Sequence, residues 1–355
     1  MLMKMKTLAA AAALFAISAP VLAEGKLSLT DVLATSDVTV SGRVDASYDY
    51  ANTKGTAAPL FGGFQTENNS FVLHQAAINN VKAPASGVGG AVTILGGEDS
   101  KTLTGTGNDL TVLQGYVSYT QGAVSVIGGR FLTLAGAEVI DSSANFNATR
   151  GLLFFFQPTY HNGVRGTYKV SDALSFTGGV VNSIFPANRD SSTAAPKQKT
   201  VELNAVYTVA GITNALTAYV GKESAVKDAG NTTLIDYVGS YPVTKELTLV
   251  LNADYFALQN SKNDTSDGYG VATYANYKLD AANRVAGRAE YVHQSEPTAF
   301  GRNVSAVTLT YGRTVASNLE VLVEGRADLS GSEKLFATAD PSNQYIGTVK
   351  AIYKF

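Results

Sequence analysis

Polar and apolar residues alternate with a period of two over most of this chain. Within 38–50, Val38, Val40, Val44, Ala46, Tyr48 and Tyr50 share one face, while Thr39, Ser41, Arg43, Asp45, Ser47 and Asp49 share the other. Val201, Leu203, Ala205, Tyr207 and Val209 oppose Glu202, Asn204 and Thr208, and Leu247, Leu249, Leu251, Ala253 and Tyr255 oppose Thr248, Asn252 and Asp254. The pattern returns with Val285, Ala289 and Tyr291 against Arg284, Arg288 and Glu290, and with Leu319, Val321, Val323 and Leu329 against Glu320, Glu324, Arg326 and Asp328. At the end of the chain, Tyr345, Val349, Ala351, Tyr353 and Phe355 oppose Gln344, Thr348, Lys350 and Lys354. Side chains along a strand point alternately to its two faces, so these segments predict strands with one apolar and one polar face.

An apolar outer face and a charged inner face fit a wall between lipid and water. A Lys or Arg facing lipid near the midplane costs about 2–4 kcal/mol, which decides that the charged face lines a lumen. A one-residue slip would turn every such charge into lipid, so the register is strongly specified. The connections alternate in length: short turns fall near 83–86, 121–122, 171–173, 210–212, 243–245, 280–282 and 315–317, and longer polar stretches at 51–69, 97–110, 185–198, 223–231, 259–266, 295–301 and 329–343. Short periplasmic turns and long external loops are the asymmetry of outer-membrane barrels. Counting 149–157 as a strand would give about seventeen, an odd number; taking 132–161 as one long loop gives about sixteen, as a bacterial barrel requires. The expected fold is therefore all-β, a transmembrane antiparallel up-and-down barrel of about 16 strands whose third external loop, 132–161, folds inward against the wall.

The two ends agree with this reading. Lys4 and Lys6 precede an apolar run from Leu8 to Ile17, and Val21-Leu22-Ala23 offers small residues before a cleavage point. That is the pattern of a secretory signal peptide, 1–23, leaving a mature chain from Glu24. Residues 24–36 carry Leu27, Leu29, Val32 and Leu33 and read either as a short periplasmic helix or plug or as a disordered lead-in to a barrel domain at 37–355. The terminal aromatic resembles the signal by which outer-membrane barrels are recognised, so the barrel-assembly machinery is an expected partner through the strand ending at Phe355. Beyond the leader, no apolar stretch approaches the roughly 20 residues of a spanning helix. A closed barrel is the remaining way to pair every backbone group within a bilayer. Outer-membrane lipids are thus partners, and a Gram-negative outer membrane is the expected location.

Composition narrows the chemistry. Loss of the leader's two lysines takes the formal net charge from −2 to about −4, and no basic run tracks phosphates, so a nucleic-acid partner is not expected. The chain has no cysteine, which excludes a disulfide framework, a thiolate metal site and a cysteine nucleophile. Trp is absent, so aromatic girdles must be built from Tyr and Phe. The three histidines, His74, His161 and His293, are scattered and the acids are interleaved with Arg and Lys, so no metal, cofactor or catalytic residue is expected. Two carboxylates and an arginine in the long third loop, Glu138, Asp141 and Arg150, are candidates for a pore constriction whose field sorts solutes by charge. The same residues can instead pair with the wall and pin the loop, and the two roles are compatible. Arg43, Arg165, Arg284, Arg288 and Arg326 are further lumen candidates, with Arg284, Arg288 and Arg326 hinting at an anion path.

The third loop also carries a resemblance. Phe131, the run 134–141, Asn145-Phe146-Asn147, Arg150-Gly151-Leu152-Leu153-Phe154, His161-Asn162-Gly163-Val164-Arg165, Tyr168 and Ser171-Asp172 resemble the β-barrel porin-2 (OmpL-like) family of outer-membrane porins, as does the opening 40–48. The resemblance implies a porin-type channel and brings no catalytic residue and no agreed substrate. The leading expectation is a passive channel for small hydrophilic solutes or ions. The alternatives are a closed structural or surface-interaction barrel and an outer-membrane hydrolase. Outward Gly42, Gly287 and Gly325 fit either a seat for a second copy in a homo-oligomer or points where strands bend.

Overall fold

The computed structural model describes residues 36–54, 57–61, 63–105, 107–185, 198–223, 230–261, 264–298 and 301–355. Residues 1–35, which hold the expected leader and most of the expected lead-in, lie outside the described residues. Sixteen strands form one closed antiparallel sheet: β1 Val38–Ala51, β2 Ser70–Lys82, β3 Gly87–Gly96, β4 Leu110–Gln121, β5 Val124–Leu132, β6 Tyr160–Ser171, β7 Leu174–Val181, β8 Thr200–Val209, β9 Ile212–Gly221, β10 Thr232–Pro242, β11 Leu247–Ser261, β12 Asp264–Lys278, β13 Asn283–Thr298, β14 Gly301–Ala316, β15 Leu319–Leu329 and β16 Asn343–Lys354. Every neighbour in sequence is a neighbour in space, and β1 closes on β16 in the register Ala46↔Ala351. Closure leaves no free edge, which is what makes such a sheet tolerable in hydrocarbon.

The wall follows the alternation. Along β16 and the terminal residue after it, Tyr345, Val349, Tyr353 and Phe355 are exposed outward, whereas Gln344, Thr348 and Lys350 are buried inward. Outward aromatics form two bands: Tyr119, Tyr168, Tyr207, Tyr241, Tyr277, Tyr311 and Tyr353 near the short turns, and Tyr50, Phe71, Tyr255, Tyr269 and Tyr345 toward the long connections. The eight residues from Tyr345 to Tyr353, at about 3.3 Å each and tilted by about 40°, separate the bands by about 20 Å, close to the apolar band of an outer-membrane barrel. Gly42 makes the seam possible. Its N–H donates to the Phe355 carbonyl at 2.7 Å, and a Cβ there would lie 2.3 Å from the Phe355 ring, so the terminal aromatic packs where a side chain would otherwise stand.

The seven short turns fall where the sequence places them. Two of the expected loops do not. Stretches 259–266 and 295–301 are largely strand, because β11 and β12 continue to Ser261 and from Asp264, and β13 and β14 to Thr298 and from Gly301. A run of polar residues reads as loop in sequence, but paired backbone serves equally well beyond the hydrocarbon. The connection after β3 holds a helix, α1 (Glu98–Thr104), with Glu98 and Asp99 in its first turn, where the positive end of the helix dipole favours them.

Candidate functional site

The segment 133–159 between β5 and β6 contains two short 3-10 turns, Ser142–Ala144 and Leu153–Phe156, and no strand. Its polar atoms bond to side chains on the buried faces of many strands. On one side, Tyr219 Oη accepts from the Leu134 N–H at 3.1 Å, Asp236 Oδ1 from the Gly136 N–H at 3.0 Å and Asn252 Oδ1 from the Ala137 N–H at 3.1 Å. Gln157 Nε2 donates to Asp254 Oδ2 at 2.7 Å and to Asn252 Oδ1 at 3.0 Å. Asp236 and Asp254 are directly opposed across β10 and β11, with Asn252 Nδ2 bridging them at 2.6 and 3.1 Å. Among the described residues neither carboxylate has an ion pair.

The next sector round, β13–β15, is built from charge pairs. Arg288 on β13 donates to Glu138 Oε1 at 2.6 Å and to the Thr149 carbonyl at 2.7 Å, and its Nε stands 2.8 Å from Glu290 Oε2 without hydrogen-bond alignment. Glu138 also accepts the Gly151 N–H at 2.6 Å. On β15, Glu324 accepts the N–H groups of Ala148 and Thr149 at 2.6 and 3.0 Å, and Arg326 pairs with Asp328 at 2.7 Å while donating to the Arg150 carbonyl at 2.7 Å. Arg150 turns its guanidinium to the carbonyls of Val139 and Ile140, at 2.9 and 2.6 Å, so it ties the segment to itself. The backbone comes so close at Gly151 that a Cβ would lie 2.1 Å from Glu290 Oε1.

The remaining candidates divide. Arg43 on β1 reaches Asp141 at 2.9 Å and Gln75 at 2.6 Å, and Gln75 in turn donates to the Ile140 carbonyl at 2.7 Å. Arg284 pairs with Glu320 at 2.7 Å and donates to the Phe146 carbonyl at 2.6 Å. Arg165 is tied instead to Glu202 at 2.6 Å and the Leu132 carbonyl, beside the base of the segment. Accessibility separates them further: the Asp141 side chain is 36% exposed, against 5% for Glu138 and 0% for Arg288. Asp141 is the open acid of this group, and the buried pairs fasten the segment.

Apolar packing completes the attachment. Leu152 and Leu153 are buried with Phe61, Ala272, Tyr274, Val292, Val304, Ala306 and Phe336, and Phe156 stacks on Phe256 with centroids 5.1 Å apart. The sequence reading, which lined the wall with charge, misses this apolar sector of β12–β14. It also misses a buried cluster around His74. Ser47 Oγ lies 2.8 Å from His74 Nε2, and His74 Nδ1 lies 3.0 Å from Asp99 Oδ1, the order of a nucleophile, a base and an orienting acid. The arrangement does not suit catalysis. Asp49 is 3.1 Å from the same Nε2 and also accepts from Ser47 at 2.5 Å, so neither ring nitrogen is left to take the serine proton, and His74 is fully buried. It joins β1, β2 and α1. His74 and Gln75 are consecutive yet both buried, and that break in the alternation is the one signal the sequence held. Among the described residues, no group of three or more His, Cys, Asp or Glu could hold a metal ion.

Comparison with solved structures finds the same architecture at low identity. An anion-selective porin from Comamonas acidovorans aligns with a TM-score of 0.64 at 13% identity, covering 90% of this chain and 99% of that one. The outer membrane channel DcaP of Acinetobacter baumannii gives 0.63 at 13%, covering 90% and 97%. OmpT of Vibrio cholerae, folded in vitro and described in a trimer form, gives 0.60 at 14%, covering 90% and 99%. A search of curated protein sequences finds no match. At these identities the structures establish the fold. The family is established by the sequence itself: residues 37–355 match the model described as "Putative beta-barrel porin-2, OmpL-like", and the chain belongs to that family.

Proposed function

We propose that this protein is a passive diffusion channel of the Gram-negative outer membrane, through which small hydrophilic solutes or ions cross a sixteen-stranded wall past a constriction formed by 133–159. The observation that carries this reading is the bonding of that one segment to buried-face side chains eight strands apart around the sixteen, Gln75 on β2 through the Ile140 carbonyl and Asp236 on β10 through the Gly136 N–H. A loop fastened at both sides lies across the lumen. Sixteen strands leave room for an aqueous path beside it. Family membership supports a channel over a hydrolase, and the His74 cluster gives a hydrolase no support.

Within this reading, Asp141 faces the water of the narrow zone, and Glu138 and Arg150 hold the segment in shape. Of the charges bonded to the segment, Asp141 is the one most open to that water. Its carboxylate favours cations. The Comamonas porin's anion selectivity belongs to that protein and to its own lining. Residues 1–23 act as a cleaved leader, and assembly into homo-oligomers is consistent with the trimer form of the Vibrio OmpT neighbour. Liposome swelling with neutral sugars of increasing size tests passage directly. Uptake that falls steeply with sugar size is expected, and no swelling from correctly folded barrels would favour the closed barrel.

A further inference from the structure

The most apolar stretch of the mature chain, Leu152-Leu153-Phe154-Phe155-Phe156, belongs to the proposed constriction and not to the wall. Its leucines are buried, but Phe154 and Phe155 are half-exposed. They line a cavity of about 210 Å³ on the side of the segment facing the long connections, together with Phe64, Leu103, Pro158 and Phe185. Four connections contribute to it: the one after β1 through Phe64, the one after β3 through Leu103, the segment itself, and the one after β7 through Phe185. We propose that this vestibule is a binding site for an uncharged solute bearing a single aromatic ring, the first stop on the way to the constriction.

Three features set that ligand class. An apolar cavity of about 150 Å³ accepts benzene, so about 210 Å³ suits one ring with a small substituent. Phe64 and Phe154 already meet edge to face at 5.7 Å, the geometry in which a further ring can be added. No charged side chain lines the space, and the Arg150 guanidinium sits 5.3 Å from the Phe64 ring centroid and 5.9 Å from that of Phe154. A cation already held against these rings disfavours a second one; the polar side chains in the lining are Thr102, Gln157 and Thr159, and the Gln157 amide is already committed to Asn252 and Asp254, so little replaces an anion's water. The choice of phenylalanine fits: this chain has 18 Tyr and 15 Phe, yet no tyrosine lines this space. Recognition here is by ring and shape, without a phenolic hydrogen bond.

This inference deepens the channel reading and rests on it for its meaning as a capture site. The test does not depend on conductance. Because the chain lacks Trp, Phe185→Trp supplies a single reporter in the refolded protein, and Phe176→Trp supplies a control on the outer wall. Each is titrated with 4-nitrobenzyl alcohol, a neutral aromatic quencher, and with 4-nitrobenzoate, its anionic counterpart. Saturable quenching at position 185 by the alcohol alone, linear quenching at 176, and a loss of affinity of at least tenfold on adding Phe154→Ala are expected. Phe154→Leu, which keeps apolar volume and removes the ring, should fall between. Linear quenching at 185, equal affinity for the anion, or affinity unchanged by both Phe154 variants would overturn the proposal. Saturable binding in a protein without solute passage would leave the site standing and remove the channel; passage without binding would do the reverse.

Discussion

The segment 133–159 is fastened to two sectors of the wall by different chemistry. At β13–β15 its carboxylate and backbone atoms meet Arg288, Glu324 and Arg326, and opposite charges stand within 3 Å in places closed to water. At β10–β11 its N–H groups and Gln157 meet Asp236, Asn252 and Asp254, two carboxylates and an amide with no cation among the described residues. The first sector depends on each partner being present. A buried ion left without its counter-charge is costly, so that side should be brittle. The second holds like charges facing each other, which neutral amides bridge, and should tolerate or even gain from losing one of them.

The largest break in this contrast is expected from Arg288→Met. It strands Glu138 and Glu290 in a dry site and should cost about 3–5 kcal/mol, read as a lowered guanidinium midpoint in detergent micelles with noisier channel currents. Gly151→Ala follows, because the new methyl must displace the Glu290 carboxylate that Arg288 holds; destabilisation of about 1–3 kcal/mol is expected by the same measurement. Glu324→Gln keeps an acceptor and loses the charge, with an expected loss of about 1.5–3 kcal/mol as the Ala148 and Thr149 N–H groups lose a charged partner. Asp254→Asn should lie within about 1 kcal/mol of the parent protein or above it. A loss as large as that of Arg288→Met would end the distinction between the two sectors.

The smallest expected effect lies away from both. Asp280 in the β12–β13 turn accepts from the side chain of Asn283 and from the N–H groups of Ala282 and Asn283, and these bonds hold its carboxyl below its ordinary value. A depressed carboxyl contributes stability above its unfolded-state value and loses it as pH falls through the folded one. Asp280→Ala should therefore lower the unfolding midpoint slightly at neutral pH, and the difference should vanish in acid.

Strand number, the short turns and the inward charges were legible because lipid leaves few alternatives: a period of two with charge on one side has a single viable register. The heights of β11–β14 were not, since above the bilayer polar strand and polar loop have the same composition. The residues of the segment were legible as charged and apolar groups in one long connection. Their partners were not. Glu138 and Arg288 are 150 positions apart and Thr149 and Glu324 are 175 apart, and nothing local in the sequence specifies such pairs. Asp236 and Asp254 each sit in an unremarkable polar position of their strands, and only the pairing of β10 with β11 makes them face each other.

The most direct test is the single-channel conductance of the refolded protein in a planar bilayer under a salt gradient. Stable conductance steps are expected, with a reversal potential of the sign that marks cation preference, set by the exposed carboxylate of Asp141. Silence from correctly folded protein, or a reversal potential of the opposite sign, would contradict the account.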